Sequence, residues 1–371
     1  MASLSLLAVL ALGFPRAVIG FGHPPVVNST VDVKVFNVAN ITTTVPGVLL
    51  QPVLPGYDTI HMPDHAFLIE HGTERIMFDL GMRSDPLNFP PSVASFFESG
   101  VYSVDSFKDI TELLTEGGIA LESIDTIIWS HSHFDHIGNM AKWPNSTNLV
   151  VGPGTNRSLY PEYPDSALQA SDFAGHTVTE LSFENTNLTI SGLPAIDYFG
   201  DQSFYLLNTP GHLMGHISAL ARVTPSTFVV LGADTCHHAG QLRPRPRFQT
   251  TYACPAELVA QAKNSVSTDY FWSPDSQPHA FDILSRAQPL LSIPDPPNSA
   301  DANPVAGRVS LDQIAGFDAD ENYFVVLAHD LSLTGRLPYF PESLSPWKAK
   351  KLKEDVVWAF LEAENPAFRF G

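Results

Sequence analysis

The strongest constraint on this chain is a run of metal-binding side chains that directly follows an apolar segment. Residues Ile124 to Trp129 are nearly all apolar and include β-branched types, which is typical of a strand buried on both faces. Two residues later begins the run His131-Ser132-His133-Phe134-Asp135-His136. In an extended loop, histidines at alternate positions project to the same side. The sequence therefore predicts a metal site in a loop at the end of a buried strand.

The types of donor in this run restrict the metal. Imidazole and carboxylate groups together suit zinc, manganese or iron. The chain has only two cysteines, Cys236 and Cys254. The absence of a thiolate cluster argues against a structural zinc site of the cysteine type.

Three later residues of metal-binding type also follow apolar runs, at positions where loops are expected to leave the edge of a sheet. A hydrolytic two-metal centre needs more ligands than the first run supplies. The additional candidates are His212 after Ser203 to Leu207, Asp234 after Phe228 to Leu231, and His329 after Tyr323 to Leu327. We expect these side chains to converge on the first run.

This ordered set of motifs resembles the metallo-β-lactamase superfamily from about His65 to Asp330. The resemblance implies an α+β fold, a four-layer αββα sandwich that holds its metals between two sheets. It implies one metal on His131, His133 and His212, a second on Asp135, His136 and His329, and Asp234 bridging the two. Asp79 corresponds to the aspartate that ends the second strand of an early hairpin.

Within the superfamily the motifs are most similar to N-acyl homoserine lactonases and to fungal lactone and lactam hydrolases. The shared motifs are His-x-His-Phe-Asp-His-Ile-Gly, Thr-Pro-Gly-His-x-x-Gly-His and Leu-Ala-His-Asp. We therefore expect a hydrolase with two divalent metal ions, zinc as the first expectation, which activate a shared water to open a lactone. The expected substrate is a small lactone, lactam or acyl ester.

Two residues are expected to take part in catalysis beyond metal binding. Asp135 can pass a proton to the leaving group, a role that the resemblance also implies. His237 lies three residues after Asp234, where bacterial lactonases have a tyrosine, and an imidazole there can donate to the substrate carbonyl. The alternative for His237 is a loop residue facing solvent. His216 and Asp330 are expected to support ligands through hydrogen bonds.

Other functions remain open on the same residues. An acyl thioesterase or a lactamase of the same fold would use the same activated water. A diiron redox protein of this fold typically replaces one histidine of the first run by a carboxylate, and the first run here keeps its histidines. A secreted metalloprotein without activity is a third alternative, and the retained Asp135 argues against it. No Gly-x-Ser-x-Gly motif or Cys-His nucleophile pattern offers a rival mechanism.

The charge balance argues against nucleic acid as a partner. Acidic residues outnumber basic ones by 39 to 20, which gives a formal net charge of -19. Binding to a phosphate backbone depends on basic side chains. One basic segment, Arg243 to Arg247, either faces an anionic part of the substrate or forms a solvated loop.

Residues 1–20 are expected to be a signal peptide, because Ala2 to Phe14 is apolar but shorter than a membrane span. A first strand is the alternative. Two further features fit a secreted glycoprotein, with a cytoplasmic protein as the alternative. These are a possible Cys236–Cys254 disulfide and the Asn-x-Ser/Thr sites at Asn28, Asn40, Asn145, Asn156 and Asn187. No segment is expected to span a membrane.

The remaining pattern predicts one domain over residues 31–361 with an insertion around residues 239–308. A hairpin is expected over Ala66 to Leu80, helical structure over Pro91 to Glu116, and a loop over Pro289 to Pro304. Helices are also expected at Pro255 to Ser265, Ala280 to Leu284 and Pro346 to Leu361. Four aromatic residues of the insertion either line a substrate wall or pack under helices: Phe248, Tyr252, Phe271 and Trp272.

Overall fold

A computed structural model describes residues 19–105, 108–255, 257–258 and 288–369. Its strands are, in chain order, Ile19–Phe21 (β1), Asp32–Thr43 (β2), Ile60–His71 (β3), Glu74–Phe78 (β4), Tyr102–Asp105 (β5), Thr126–Ile128 (β6), Asn148–Val151 (β7), Val178–Glu180 (β8), Leu188–Ile190 (β9), Leu193–Asp197 (β10), Phe204–Asn208 (β11), Ile217–Thr224 (β12), Thr227–Ala233 (β13) and Tyr323–Leu327 (β14).

The α-helices of the described residues are Pro91–Glu98 (α1), Ile110–Glu116 (α2), Phe134–Ile137 (α3), Ala239–Leu242 (α4), Pro246–Thr251 (α5), Pro304–Asp318 (α6) and Leu352–Val356 (α7). Short 3-10 turns occur at Pro46–Val48, Pro86–Asn88, Leu121–Ser123, Met140–Lys142, Ala170–Asp172, Leu331–Leu333 and Ala359–Leu361.

The strands form two sheets of seven strands each. The first has the order β5-β2-β3-β4-β6-β7-β8, and the second has the order β1-β9-β10-β11-β12-β13-β14. The predicted hairpin is confirmed, because β3 and β4 pair antiparallel with His71 opposite Glu74. In the first sheet, the neighbouring strands β4, β6, β7 and β8 are parallel, and in the second sheet β13 and β14 are parallel.

Alternate side chains of the central strands enter different apolar layers. In β14, Phe324 and Val326 pack between the sheets, whereas Tyr323 and Val325 pack under α6. In β3, Phe67 points between the sheets and its neighbours join the core beneath α1 and α2. Each such buried side chain contributes roughly 1.5–3 kcal/mol. The chain therefore has the predicted four-layer αββα sandwich, with one core between the sheets and one outside each sheet.

The predicted helical stretch over Pro91 to Glu116 is wrong in its middle. Helix α1 ends at Glu98, and Gly100 then adopts a φ of 74° that turns the chain away. Tyr102–Asp105 pairs antiparallel with β2 as the edge strand of the first sheet. Pairing with a neighbouring strand therefore overrode the helical pattern.

Two predictions near the end of the chain also need correction. The loop over Pro289 to Pro304 ends one residue early, because Asn303 caps α6 through a hydrogen bond from Ala306 N to its side chain. Over Pro346 to Leu361 the α-helix is confined to Leu352–Val356, since Lys351 has a left-handed φ of 56°. The helix expected at Pro255 to Ser265 lies mostly outside the described residues, and the one expected at Ala280 to Leu284 lies wholly outside them.

The amino-terminal strand β1 pairs in parallel with β9. It overlaps the last two residues of the predicted leader, and the leader stays a prediction. Among the described residues, every helix is too short or too polar to cross a membrane.

Candidate metal centre

The seven residues predicted as metal ligands lie together at the ends of four strands. β6 of the first sheet leads into His131, while β11, β13 and β14 of the second sheet lead towards His212, Asp234 and His329. Two groups form in which the donor atoms lie within 4.8 Å of one another: His131, His133, His212 and Asp234, and Asp135, His136 and His329. The structure thus assembles the two predicted sets, and their role as ligands stays a prediction.

In the first group, ring nitrogens converge from different loops. His133 Nδ1 lies 3.0 Å from His131 Nε2 and 2.9 Å from His212 Nε2. Imidazole nitrogens on a tetrahedral zinc ion are about 3.3 Å apart, which follows from a Zn–N distance of about 2.05 Å. His131 and His212 are buried, His133 is partly buried, and their donor atoms lie close together. The spacing therefore fits one metal ion on these three imidazoles.

Asp234 lies between the two groups and reaches both with its carboxylate. Its Oδ2 is 3.4 Å from His212 Nε2 and 3.3 Å from His136 Nε2. Its Oδ1 is 3.3 Å from His329 Nε2, which in turn is 3.5 Å from Asp135 Oδ2. This is the position required of a residue that bridges two cations.

Strained backbone conformations occur beside the site. Asp79 has a φ of 61° and Ala233, which precedes Asp234, has a φ of 45°. Such values cost about 1–3 kcal/mol for residues other than glycine and persist where the surroundings impose them. For Asp79 the cause is visible, because its carboxylate accepts hydrogen bonds from Ser130 N at 2.6 Å and His136 Nδ1 at 2.9 Å.

Each of four histidines is oriented by a hydrogen bond from the ring nitrogen that faces away from the site. The acceptors are Ser130 Oγ for His131, Asp79 Oδ2 for His136, Asp301 Oδ1 for His212 and the Pro63 carbonyl for His329, at distances of 3.0, 2.9, 2.8 and 2.8 Å. With Nδ1 holding its proton in this bond, the Nε2 of each neutral ring presents its lone pair to the centre, and His136 and His329 reach that state when a metal ion displaces their Nε2 proton. This arrangement is the usual support of metal-binding histidines.

Two buried polar atoms of the site have no hydrogen-bond partner among the described residues: His136 Nε2 and Asp234 Oδ1. Leaving such atoms unsatisfied is unfavourable in a protein interior. A cation between the two groups would satisfy both. The donor set, with nitrogen and oxygen ligands in two groups that share Asp234, therefore fits two divalent metal ions.

The first group is prepared to bind a cation at neutral pH. Burial, together with the charge on His136, holds the pKa of His131 well below its usual range. Burial and the neighbouring His133 have the same effect on the pKa of His212. Metal ligands must be deprotonated to bind. The lone pairs of this group are thus free without a change in protonation.

In the second group, the positive charge of histidine side chains balances the negative charge of the neighbouring aspartates. Burial opposes the charge on His329, but Asp234 and Asp135 raise its pKa to about 9. Burial alone would also raise the pKa of Asp234, yet His136 and His329 hold it well below its usual range. The carboxylate of Asp234 is thus ionised and attracts positive charge to this point.

The supporting role predicted for His216 is confirmed by its contacts. Its Nδ1 donates to the Thr209 carbonyl at 2.8 Å, and its Nε2 accepts from Asp234 N at 3.2 Å. Burial lowers its pKa to about 4, so the ring is neutral as this pattern requires. Asp330 instead accepts from Ser332 N and Oγ and caps the turn that follows.

His237 does not face solvent, so that alternative is wrong. Its side chain is buried, its Nε2 lies 3.3 Å from Asp234 Oδ2, and its backbone N donates to Gln241 Oε1 at 2.8 Å. The ring stacks on that of His329 with an interplanar angle of 4°. His237 therefore lines the centre together with the two ligand groups.

A cavity of about 500 Å³ opens above the centre. Asp135, Asp234, His237 and His329 are among the polar groups of its floor, and most of the wall is apolar. The wall includes Val45, Val48, Leu49, Phe96, Tyr102 and Phe134. Among the described residues, neither lysine nor arginine lines this cavity.

Sequence reasoning missed several parts of the site. Asp301 lies in a Pro- and Asn-rich stretch without periodicity, and the Pro63 carbonyl is a backbone group that leaves no trace in the sequence. Ser130 had a signal, since a small hydroxyl residue sits between the buried strand and His131. Tyr102 belongs to the strand that was taken for helix, so its place in the cavity wall was not foreseen.

The three arginines of the segment Arg243 to Arg247 neither line the cavity nor form one solvated loop. Arg243 is buried, and its Nε and Nη2 donate to Asp318 at 2.8 and 2.7 Å. Arg245 pairs with Asp312, and Arg247 lies 3.9 Å from Asp320. Pairing with Asp318 thus accounts for the buried guanidinium of Arg243, while Arg245 and Arg247 face acidic side chains nearer the surface.

Packing decides two further predictions, the disulfide between Cys236 and Cys254 and the place of the aromatic residues of the insertion. Cys236 and Cys254 are both buried and unpaired, so the possible disulfide is wrong. Phe248 is 1% exposed and packs against Tyr252 and Trp358 beneath the helices rather than at the cavity. Phe271 and Trp272 lie outside the described residues.

Comparison with known proteins gives the family. The model of the metallo-beta-lactamase superfamily matches residues 62–230. Metallo-hydrolase mfmC of Annulohypoxylon moriforme is 36% identical over 91% of this chain and 88% of its own length. Gamma-lactamase FDB1 of Fusarium pseudograminearum is 34% identical over 92% of this chain and 86% of its own length.

One similar protein is much longer. Cytochrome P450 monooxygenase mpaDE of Penicillium roqueforti is 38% identical over 91% of this chain, and the chain spans 38% of that protein's length. Among solved structures, AiiA of B. thuringiensis with N-decanoyl-L-homoserine at its active site superposes with a TM-score of 0.54 at 16% identity. That superposition covers 85% of this chain and 100% of AiiA, and it shows a shared fold. By sequence, fold and the arrangement of its histidines and aspartates, this chain belongs to the metallo-beta-lactamase superfamily.

Proposed function

We propose that this chain is a metal-dependent hydrolase that opens uncharged lactones or γ-lactams. The observation that carries the proposal is a mainly apolar cavity whose floor holds two ligand groups joined by Asp234. When bound, two divalent ions would activate water and polarise the scissile carbonyl. Lactams belong to the proposal because gamma-lactamase FDB1 is similar over most of both chains.

The mostly apolar wall of the cavity favours uncharged substrates over anionic ones. An anionic group buried there would lack a cationic partner among the described residues, and burying an unpaired charge is costly. The net charge of -19 adds long-range repulsion of anions. These features disfavour the alternative of an acyl thioesterase for anionic carriers.

Two side chains are proposed to act on the substrate. Asp135 lines the cavity 3.5 Å from His329 Nε2, and its carboxylate can accept a proton from water and return it to the leaving oxygen or nitrogen. His237 also lines the cavity, and its ring nitrogen can donate to the carbonyl oxygen as negative charge develops there. Zinc is the proposed metal, because nitrogen-rich sites with carboxylates and the observed nitrogen spacing suit it.

A substrate panel tests this function. The zinc-loaded full chain is assayed with neutral γ-lactones, neutral γ-lactams, the same compounds carrying a carboxylate, and coenzyme A thioesters. We expect turnover of neutral rings, with kcat/KM at least about tenfold above that of the carboxylate-bearing analogues. Failure to hydrolyse any lactone or lactam would overturn the proposal, and preferential cleavage of the thioesters would favour the thioesterase alternative.

We also propose that the protein enters the secretory pathway and is glycosylated. The asparagines of all five Asn-x-Ser/Thr sites are exposed: Asn28, Asn40, Asn145, Asn156 and Asn187. An accessible asparagine is what the modification requires. Treating the protein from its native source with an N-glycosidase should lower its apparent mass, and an unchanged mass would contradict glycosylation.

A further inference from the structure

Asp301 lies in the insertion, far in sequence from every predicted ligand, and contacts the metal centre directly. Its Oδ1 accepts a hydrogen bond from His212 Nδ1 at 2.8 Å. The exposed fractions of the two side chains are 7% and 2%. We propose that Asp301 is a positioning residue, which fixes the tautomer and orientation of His212 so that its Nε2 faces the metal. This inference rests on the proposed metal-dependent function.

The backbone around Asp301 holds the same loop. Ala302 N donates to the His212 carbonyl at 2.9 Å, and Asn303 N donates to the Gly211 carbonyl at 2.8 Å. The segment around Asp301 therefore forms hydrogen bonds with both the ring and the backbone carbonyl of His212. These contacts leave the ring little freedom to turn away from the other two imidazoles.

The contact between Asp301 and His212 lies in a closely packed region where two glycines are required. Gly211 has a φ of 143°, and a Cβ there would lie 2.2 Å from the backbone of Gly307 in α6. A Cβ on Gly307 would in turn lie 2.5 Å from Asp301 Oδ2. Two glycines thus allow the loop of His212, the helix and the carboxylate to meet.

The same segment also forms part of the cavity wall. Pro297, Asn298, Ser299 and Ala300 line the cavity just before Asp301. Ser299 Oγ accepts from Asp301 N at 3.1 Å, and Ala300 N donates to the Val48 carbonyl at 2.8 Å. Asp301 therefore connects a wall that would touch the substrate to a ligand of the first group.

The physical effect on the metal follows from the hydrogen bond. A carboxylate that accepts from Nδ1–H keeps that proton in place and makes Nε2 a stronger donor. Asp79 supports His136 of the second group in the same way, at 2.9 Å. Each ligand group therefore has one histidine whose Nδ1 is held by a carboxylate.

Zinc affinity tests the inference without using a substrate. The metal-free full chain is titrated with Zn²⁺ against a chromophoric chelator for the wild type, Asp301→Ala, Asp301→Asn and Asp295→Ala. Asp295 is the matched control, an exposed carboxylate of the same segment that pairs with Arg308. We expect Asp301→Ala to weaken one of the two zinc equivalents by about 10- to 100-fold. Asp301→Asn should lose less, because its amide oxygen still accepts from Nδ1–H, and Asp295→Ala should match the wild type.

Equal affinity of Asp301→Ala and the wild type for both equivalents would overturn the inference, as would equal losses in Asp301→Ala and Asp301→Asn. Melting temperatures identify a variant that fails to fold. If Asp301→Ala does not fold, Asp301→Asn decides: affinity weakened about threefold or more at one equivalent supports the role, and unchanged affinity refutes it. A wild type that binds two zinc ions but opens neither lactones nor γ-lactams would refute the proposed function and leave this inference standing.

Discussion

At the scale of single residues, His237 is proposed to donate to the substrate carbonyl from a position where a related family has a different side chain. The resemblance to bacterial lactonases implies a tyrosine at this point, and the chain has an imidazole there instead. Its ring is held between those of His212 and His329, with centroids 4.9 and 5.7 Å away. A donor held so firmly costs little further ordering when the substrate arrives.

Replacing His237 by phenylalanine keeps a ring in this place and removes the nitrogen donor. We expect kcat on a neutral lactone to fall by about 10²-fold, the usual loss for one donor to a developing oxyanion, while bound zinc is retained. Steady-state kinetics with metal analysis measures both. The matched control is His71→Phe, since His71 stacks on Phe199 with ring centroids 4.1 Å apart, away from the metal centre. An unchanged kcat in His237→Phe would contradict the assigned role.

The candidate ligands were predictable because they lie in short polar motifs that follow apolar strands. Asp301 was not, because its contact with His212 depends on where a long insertion returns in space. The backbone carbonyl of Pro63, which accepts from His329, was equally invisible. Long-range support of a site is set by tertiary packing, and short motifs do not encode it.

At the scale of elements, His65 joins the two sheets beside the metal centre. Its Nδ1 donates to the carbonyl of Leu327 at 3.0 Å, and its Nε2 accepts from the Tyr339 hydroxyl at 3.2 Å. His65 N also donates to the Ala328 carbonyl at 3.1 Å, directly before His329. Strand β3 is thereby fixed to the end of β14.

Acid should weaken this connection. Burial, with a smaller effect of His329, lowers the pKa of His65 from 6.5 to about 4. The unfolded chain therefore binds this proton first as the pH falls, so the stabilisation is complete above pH 6.5 and is lost between pH 6.5 and about 4. Over that interval the metal-free wild type should lose about 3 kcal/mol more unfolding free energy than His65→Asn. Urea unfolding at both pH values measures the difference, and equal losses would refute it.

The elements that sequence reasoning missed share a physical cause. Helix α6 buries residues at helical spacing, including Leu311, Ile314 and Ala315, but Gly307 and Gly316 lower its helix propensity. The edge strand Tyr102–Asp105 alternates half-buried and exposed side chains and is recognised only through its pairing with β2. In both cases the local pattern alone is too weak to identify the element, which is stabilised by its tertiary contacts.

At the scale of the whole molecule, a buried ion pair ties the insertion to the sandwich. Arg243 donates to both carboxylate oxygens of Asp318 at the end of α6, and its Nη1 donates to the Val357 carbonyl at 2.9 Å. Three parts of the chain that are distant in sequence thus meet at one guanidinium. The pair fixes α6, whose first turn packs against the loop of His212.

Removing one partner of this pair should be costly. We expect Arg243→Ala to lower the unfolding free energy by about 3–5 kcal/mol, because Asp318 is left buried without its partner. Arg247→Ala is the control from the same segment, with a side chain 66% exposed and 3.9 Å from Asp320, and should change stability by no more than about 1 kcal/mol. Chemical denaturation compares the two. Similar small losses in both variants would contradict the role of the buried pair.

The whole account depends on Asp234 joining two metal sites. The direct measurement is metal content per chain by mass spectrometry of the purified protein, for the wild type and for Asp234→Ala, with lactone turnover recorded in parallel. We expect two metal ions per chain in the wild type, one for each ligand group, and loss of both metal loading and turnover in Asp234→Ala. Full loading and activity in Asp234→Ala, or an active wild type with no bound metal, would contradict the account.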